Sequence, residues 1–189
     1  MPHYKSGPGY TILNSFYFSA LCSLVNELER ENIPYLFVGG AAFQLRTADI
    51  LGGQGVADIK GMGLEALLRL TGDIDLDTQS DFGQMTYFFN MLTHQSPFNA
   101  ELRGEKLVKL TKKKANPKNE DDVLFVNFSM GPDDFKGLSD HHEVRMRTAE
   151  DVFVRKGNER LQAKVPTLAY CLATKLMRME EKDKVDVYF

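Results

Sequence analysis

Cysteine is scarce in this chain of 189 residues, which contains only Cys22 and Cys171. Two cysteines so far apart form neither a disulfide framework nor the short ligand spacing of a zinc site. The first ten residues lack both the basic region and the apolar segment of a secretory signal peptide. We therefore expect a reduced, cytoplasmic environment.

Long apolar runs and an excess of positive charge are also absent. No apolar run approaches the roughly 18–20 residues that a helix needs to cross a bilayer, so we expect no membrane association. With 23 basic and 26 acidic residues the net charge is -3, which excludes a basic field over the whole chain. The length suits a single domain over residues 1–189.

Hydrophobic periodicity predicts an α+β (mixed α/β) fold, in which a central mixed sheet is flanked by helices. The predicted helices cover 15–32, a segment after residue 40, 80–95 (capped by Ser80 or Asp81) and 165–189 (capped by Thr167). The predicted strands cover 35–40, 70–78, 105–114, 122–131, 142–148 and 151–156. A Gly-rich loop is predicted over 51–63, and Phe16, Phe18, Phe88 and Phe89 are assigned to the core.

The strand "LTGDIDLDT" (70–78) places Asp73, Asp75 and Asp77 on one face, although aspartate is depleted in strands. Side chains two apart on a strand can converge on one divalent cation, and Mg²⁺ prefers carboxylate oxygens. The cation would then remove the repulsion. The alternative is a polar edge strand that faces solvent, and Asp77 is expected to face solvent at the strand's end in either case.

The segment "VGG" (38–40) ends a buried strand where a helix is expected to begin. Backbone N–H groups at a helix N-terminus bind phosphate, and glycine permits a close approach. Alone, a Gly-Gly pair is more often only a turn.

Three motifs together carry a family resemblance: "VGGAAFQL" (38–45), "RLTGDIDLD" (69–77) and "LATKLMRMEEKDKVDV" (172–187). They resemble the nucleotidyltransferase superfamily with the DNA polymerase β-like fold. More narrowly, they are similar to the AbiEii/AbiGii-type nucleotidyltransferases of abortive-infection and toxin–antitoxin systems. The family string Arg-x-Thr-x-Asp-Ile-Asp-Leu stands here as Arg69, Thr71, Asp73, Ile74, Asp75 and Leu76.

The resemblance implies a Mg²⁺-dependent transfer of NMP from an NTP to an acceptor hydroxyl, with an RNA such as tRNA as an acceptor and an antitoxin protein as a partner. It assigns metal binding to Asp73 and Asp75. It assigns further catalytic roles to Lys175, Asp183 and Asp186, all in the C-terminal helical segment 165–189. It assigns nucleotide binding to Gly39, Gly40, Arg69, Thr71 and Lys182.

In a continuous helix, Lys175, Lys182 and Asp186 would fall within roughly 20° of one stripe. A lysine there can meet a triphosphate as a point charge, whereas the alternative is an exposed Lys–Asp pair on a solvated face.

Two features depart from the family pattern. The glycine pair and Asp73 are separated by 32 residues, so 49–68 reads as an insertion, either a substrate loop or tolerated length. The strand "LFVNFSM" offers Asn127 where such enzymes often place a third carboxylate, which favours a single Mg²⁺. The same feature leaves open an alternative, a non-catalytic nucleotide-binding or interaction module.

Lysines cluster between residues 105 and 118. Either they grip an RNA backbone or they protect the edge of a hairpin. They are Lys106, Lys109, Lys112, Lys113, Lys114 and Lys118.

Overall fold

The structure is a computed structural model that describes residues 9–51, 63, 68, 70–113, 123–130 and 139–178. Its helices are α1 (Ser15–Arg30), α2 (Gly39–Leu51), α3 (Phe82–Gln95), α4 (Ser139–Arg147) and α5 (Leu168–Arg178). Its strands are β1 (Tyr35–Val38), β2 (Asp73–Thr78), β3 (Phe98–Leu102), β4 (Leu107–Lys112), β5 (Val123–Met130), β6 (Glu150–Lys156) and β7 (Glu159–Val165).

Five strands form one mixed sheet in the order β1-β2-β5-β4-β3. The β2–β5 pair is parallel and the other pairs are antiparallel. Strands β6 and β7 form a separate hairpin, which packs against α2, α1 and β1. The predicted α+β fold with a mixed sheet is therefore confirmed.

The alternation along β2 divides its side chains between two environments. Ile74 and Leu76 are buried in the core, where each apolar side chain contributes roughly 1.5–3 kcal/mol of transfer free energy. The four phenylalanines assigned to the core are also buried in one cluster. The aspartates of β2 are left together on the other face.

The capping predictions are confirmed for two helices. The Asp81 carboxylate accepts a hydrogen bond from the Gln84 backbone N–H at 2.8 Å, and the Gln84 side-chain oxygen accepts one from the Asp81 backbone N–H, which completes a capping box before α3. At α5, Thr167 Oγ1 accepts from the Tyr170 N–H at 3.2 Å. Residues 179–189, predicted to continue this helix, lie outside the described residues.

Other predictions need correction or cannot be followed. The strand predicted over 142–148 is wrong, because these residues belong mainly to α4. The short apolar alternation of this segment suggested a strand, but tertiary contacts such as that of Arg145 with Asp77 override local preference. The sequence did not predict strands β3 and β7. Asn and Glu in β3, and Glu and Lys in β7, are residue types that are depleted in strands. Most of the predicted loop 51–63 lies outside the described residues.

Among the helices that the structure describes, none combines the length and apolarity that crossing a membrane requires.

A buried ion pair fixes α4 to the sheet and overturns the expectation that Asp77 faces solvent. Asp77 is 1% exposed, and its Oδ2 lies 2.6 Å from Arg145 Nη2 of α4. The Arg145 guanidinium also lies over the Tyr170 ring of α5, 5.7 Å from its centroid. One aspartate of β2 is thus used to attach two helices.

We expect Asp77→Asn and Arg145→Met each to lower the free energy of unfolding by about 3–5 kcal/mol, because either change leaves a buried charge without its partner. The double variant should lose less than the sum of the two. Urea unfolding of the four proteins measures this coupling. The exposed pair of Arg103 and Glu101, 2.7 Å apart, is the matched control, for which about 0–1 kcal/mol is expected. Additive losses at Asp77 and Arg145 would contradict the assignment.

Candidate active site

Two carboxylates and one amide meet between β2 and β5. Parallel pairing places Asp75 opposite Asn127. The Asn127 Nδ2 donates to Asp73 Oδ2 at 3.0 Å and to Asp75 Oδ1 at 3.2 Å. Because both carboxylate oxygens lie close to the same nitrogen atom, the two aspartates converge on one point, which Asn127 Nδ2 occupies; the predicted cation between them stays a prediction.

The glycine pair lies against this site. Strand β1 ends at Val38, which pairs with Asp75, and α2 begins at Gly39 with no residue between them. Gly39 has φ +60°, and a Cβ added there would overlap Asp75 Oδ2. A Cβ on Gly40 would come within 2.7 Å of Thr71 Oγ1. The glycines are therefore required for strand and turn to approach each other, and they place the N-terminus of α2 beside a carboxylate, where negative charge is favoured.

Thr71 is held at the start of the aspartate strand by backbone pairing with Tyr10, through hydrogen bonds of 2.9 and 2.7 Å. Its Oγ1 donates to the Asp73 backbone oxygen at 3.0 Å and lies 3.4 Å from Asp73 Oδ1. Thr71 thus orients the backbone that carries Asp73.

Tyr17 of α1 is a residue that the sequence reading missed. Its side chain is completely buried, and its hydroxyl has no hydrogen-bond partner among the described residues. Burial raises the pKa of the phenol strongly, and the charges of Asp73 and Asp75 raise the pKa further. Tyr17 is therefore neutral, a hydroxyl donor near the two carboxylates. Nothing in the sequence distinguishes it from the core aromatics beside it in α1.

Asp77 has a different environment from the other two aspartates. Burial raises the pKa of its carboxyl to about 6, and the negative charge of Asp75 acts in the same direction. The Arg145 guanidinium and a hydrogen bond from the Ser129 side chain oppose this rise in pKa. Asp77 thus belongs to a buried ion pair with Arg145, while Asp73 and Asp75 are only partly buried.

The donor atoms suit one hard cation. No group of three His, Cys, Asp or Glu side chains placed to hold a metal occurs within the described part of the chain. Asp73 and Asp75 supply two convergent carboxylates, and rotation of the Asn127 amide would present its Oδ1 as a neutral third ligand. Oxygen ligands of this kind are those that Mg²⁺ prefers, and the single Mg²⁺ stays a prediction.

The remaining predicted site residues are not brought together by the described structure. Arg69, Lys182, Asp183 and Asp186 lie outside the described residues. Lys175 belongs to α5, and this helix contacts α2, the helix that begins at the glycine pair. Their assigned roles stay predictions.

Searches with models of known protein families and against curated proteins give no match to this chain.

Gly39→Ala should damage the site more than its backbone strain alone explains. Gly157 has the same φ of +60°, but a Cβ there would meet nothing within 4 Å. Gly157→Ala thus measures the strain, about 1–2 kcal/mol, and Gly39→Ala should lose more stability and also divalent-cation affinity. Thermal unfolding and Mn²⁺ calorimetry provide the comparison. If both variants lost the same stability and the same Mn²⁺ affinity, the position of the Asp75 carboxylate would not depend on Gly39.

Asn127→Asp should create a three-carboxylate site. Without a cation, the added negative charge repels Asp73 and Asp75, so the melting temperature should fall. With Mg²⁺ the loss should be reversed, and Mn²⁺ affinity should exceed that of the unmodified protein, because a charged ligand replaces a neutral one. Melting curves with Mg²⁺ and with EDTA measure this. A variant that Mg²⁺ does not stabilise would exclude a cation between β2 and β5.

Proposed function

We propose that this protein is a Mg²⁺-dependent nucleotidyltransferase that transfers NMP from an NTP to an acceptor hydroxyl. The observation that carries the proposal is the convergence of the Asp73 and Asp75 carboxylates beside the Gly39–Gly40 start of α2. A carboxylate pair next to a helix N-terminus combines a cation site with a phosphate site, which nucleotidyl transfer requires. The sequence resemblance described above supports the same conclusion.

Asp73 and Asp75 would hold Mg²⁺, which supplies charge neutralisation to a triphosphate. Thr71 fixes the backbone of Asp73, and Gly39 allows the α2 N-terminus to lie close to the anionic ligand. Tyr17 is neutral and buried, and the charges of Asp73 and Asp75 act on its hydroxyl. These residues bind and orient the nucleotide.

In the proposed reaction, the acceptor oxygen forms a bond to the α-phosphorus and the bond from that phosphorus to the bridging oxygen breaks. Pyrophosphate leaves, and the proton of the acceptor hydroxyl passes to a carboxylate, for which we propose Asp186, with Asp183 assisting. Lys175 and Lys182 would neutralise phosphate charge, and Arg69 would bind the nucleotide.

The biological setting follows from the resemblance alone. On that basis we propose a cytoplasmic toxin or phage-defence component that modifies RNA, with tRNA as the acceptor and a cognate antitoxin as its protein partner.

A specific observation favours a second candidate, a non-catalytic nucleotide-binding or interaction module. Asn127 already satisfies both carboxylates by donating to each of them. A site stabilised in this way does not need a cation to remain folded.

Incubation of the protein with each α-labelled NTP, Mg²⁺ and total RNA tests the first candidate against the second. We expect label transfer that falls by at least about hundredfold in Asp75→Asn, because several kcal/mol of charge stabilisation depend on the cation. Lys175→Ala should also lose transfer.

The matched control is Glu101→Gln, which removes one exposed carboxylate from β3 and should leave transfer unchanged. NTP binding with no transfer to RNA, protein or the chain itself would exclude the enzyme and leave the second candidate.

A further inference from the structure

The outward face of the β6–β7 hairpin carries an unusual set of side chains. Cross-strand pairing places Phe153 opposite Gln162 and Arg155 opposite Arg160. All four side chains are exposed, while the alternate residues Val152, Val154, Leu161 and Ala163 are buried beneath them. The face is therefore a solvent-facing sheet surface on a hydrophobic base.

Phe153 presents an exposed ring on an anchored strand. Its side chain is 62% exposed, and its backbone N–H donates to Asp49 Oδ1 of α2 at 2.9 Å. An exposed aromatic ring on a strand is a surface on which an unstacked nucleotide base can stack.

The Arg155–Arg160 pair places two like charges directly opposite each other, which is destabilising in an antiparallel pair. Within the described part of the chain, neither guanidinium forms an ion pair. Arg155 Nε donates to the Gly157 oxygen at 3.1 Å, which orients its guanidinium. An anionic ligand would relieve this repulsion, and the planar guanidinium suits phosphate.

The outward face continues into a groove of about 1010 Å³ between the hairpin and α1. Its lining contains three basic residues, Arg155, Arg160 and Lys164, and one acidic residue, Glu29. Lys164 is paired with Asp151, 3.3 Å away, so the two arginines carry the excess positive charge. Asn26 and Gln162 add planar amides that can donate to and accept from base edges. The groove is thus locally positive in a chain whose net charge is -3.

The groove lies near the elements that form the active site. Strand β1, which begins at the buried Tyr35, packs against β7 of the hairpin. Gly39 directly follows this four-residue strand, so it lies about 13 Å from Tyr35 along the strand direction. A short single strand can span that distance.

We propose that the outward face of β6–β7 and its groove bind single-stranded RNA, with a base on Phe153 and phosphates on Arg155 and Arg160. The inference names the acceptor surface of the proposed function and in that respect rests on it. An acidic peptide would use the arginines but would gain little from the exposed ring and the two amides, so RNA fits the surface better.

Fluorescence anisotropy with a labelled 12-nucleotide single-stranded RNA, in EDTA and without NTP, tests the surface independently of catalysis. We expect R155Q/R160Q to weaken binding at least about tenfold and to lower the slope of log K against log salt by about 1.4, for two lost phosphate contacts. Phe153→Ala should weaken binding about tenfold with little change of slope.

Matched controls are R103Q/R147Q, which removes two exposed arginines elsewhere, and Tyr87→Ala, which removes an exposed ring of α3. Both should bind RNA as the unmodified protein does, and circular dichroism should show that every variant is folded. The predicted lysine surface is tested by K109Q/K112Q, which should retain binding.

The inference would be overturned if the control variants lost as much RNA affinity as the hairpin variants, or if only K109Q/K112Q lost affinity. It would also be overturned if duplex RNA bound as tightly as single-stranded RNA, or if poly-glutamate displaced the RNA as well as unlabelled RNA does. RNA binding that depends on the hairpin without any nucleotide transfer would refute the proposed enzyme and leave this surface. If label is transferred to RNA and neither R155Q/R160Q nor Phe153→Ala weakens RNA binding, the enzyme is supported and the hairpin surface is refuted.

Discussion

Asp73, Asp75 and Asp77 follow one another along one face of β2, and their mutual repulsion must be compensated for the central sheet to form. Different elements supply the compensation. Asn127 of β5 donates to the first two carboxylates, α2 begins beside Asp75, and Arg145 of α4 pairs with Asp77. The arrangement of β5, α2 and α4 around β2 is thus linked to one electrostatic requirement.

The three carboxylates also differ in accessibility, which separates structural from chemical roles on a single strand. Asp77 is buried with a guanidinium and contributes to the attachment of α4 and α5. Asp73 and Asp75 both accept from the neutral amide of Asn127, which neutralises no charge.

The sequence was sufficient for the features that depend on local patterns. Alternation located β2, periodicity located α1 and α3, and the Gly-Gly and Asp-x-Asp segments were correctly predicted to lie together. The features that depend on distant contacts could not be predicted. Arg145 occurs in a short apolar alternation that suggests a strand, but its partner is 68 positions earlier, at Asp77. Tyr17 has the spacing of a core residue, and only the fold shows that two carboxylates act on its hydroxyl.

The parallel pairing of β2 with β5 has a consequence for the order in which the site is assembled. Asn127 is 54 and 52 positions from the two aspartates that it contacts, and α3, β3 and β4 lie between them in the chain. Contacts over such separations form late, since the intervening loop must be closed first. During synthesis, the carboxylate pair therefore emerges from the ribosome well before the amide that organises it. The cluster of Asp73, Asp75 and Asn127 therefore exists only after β5 has joined the sheet.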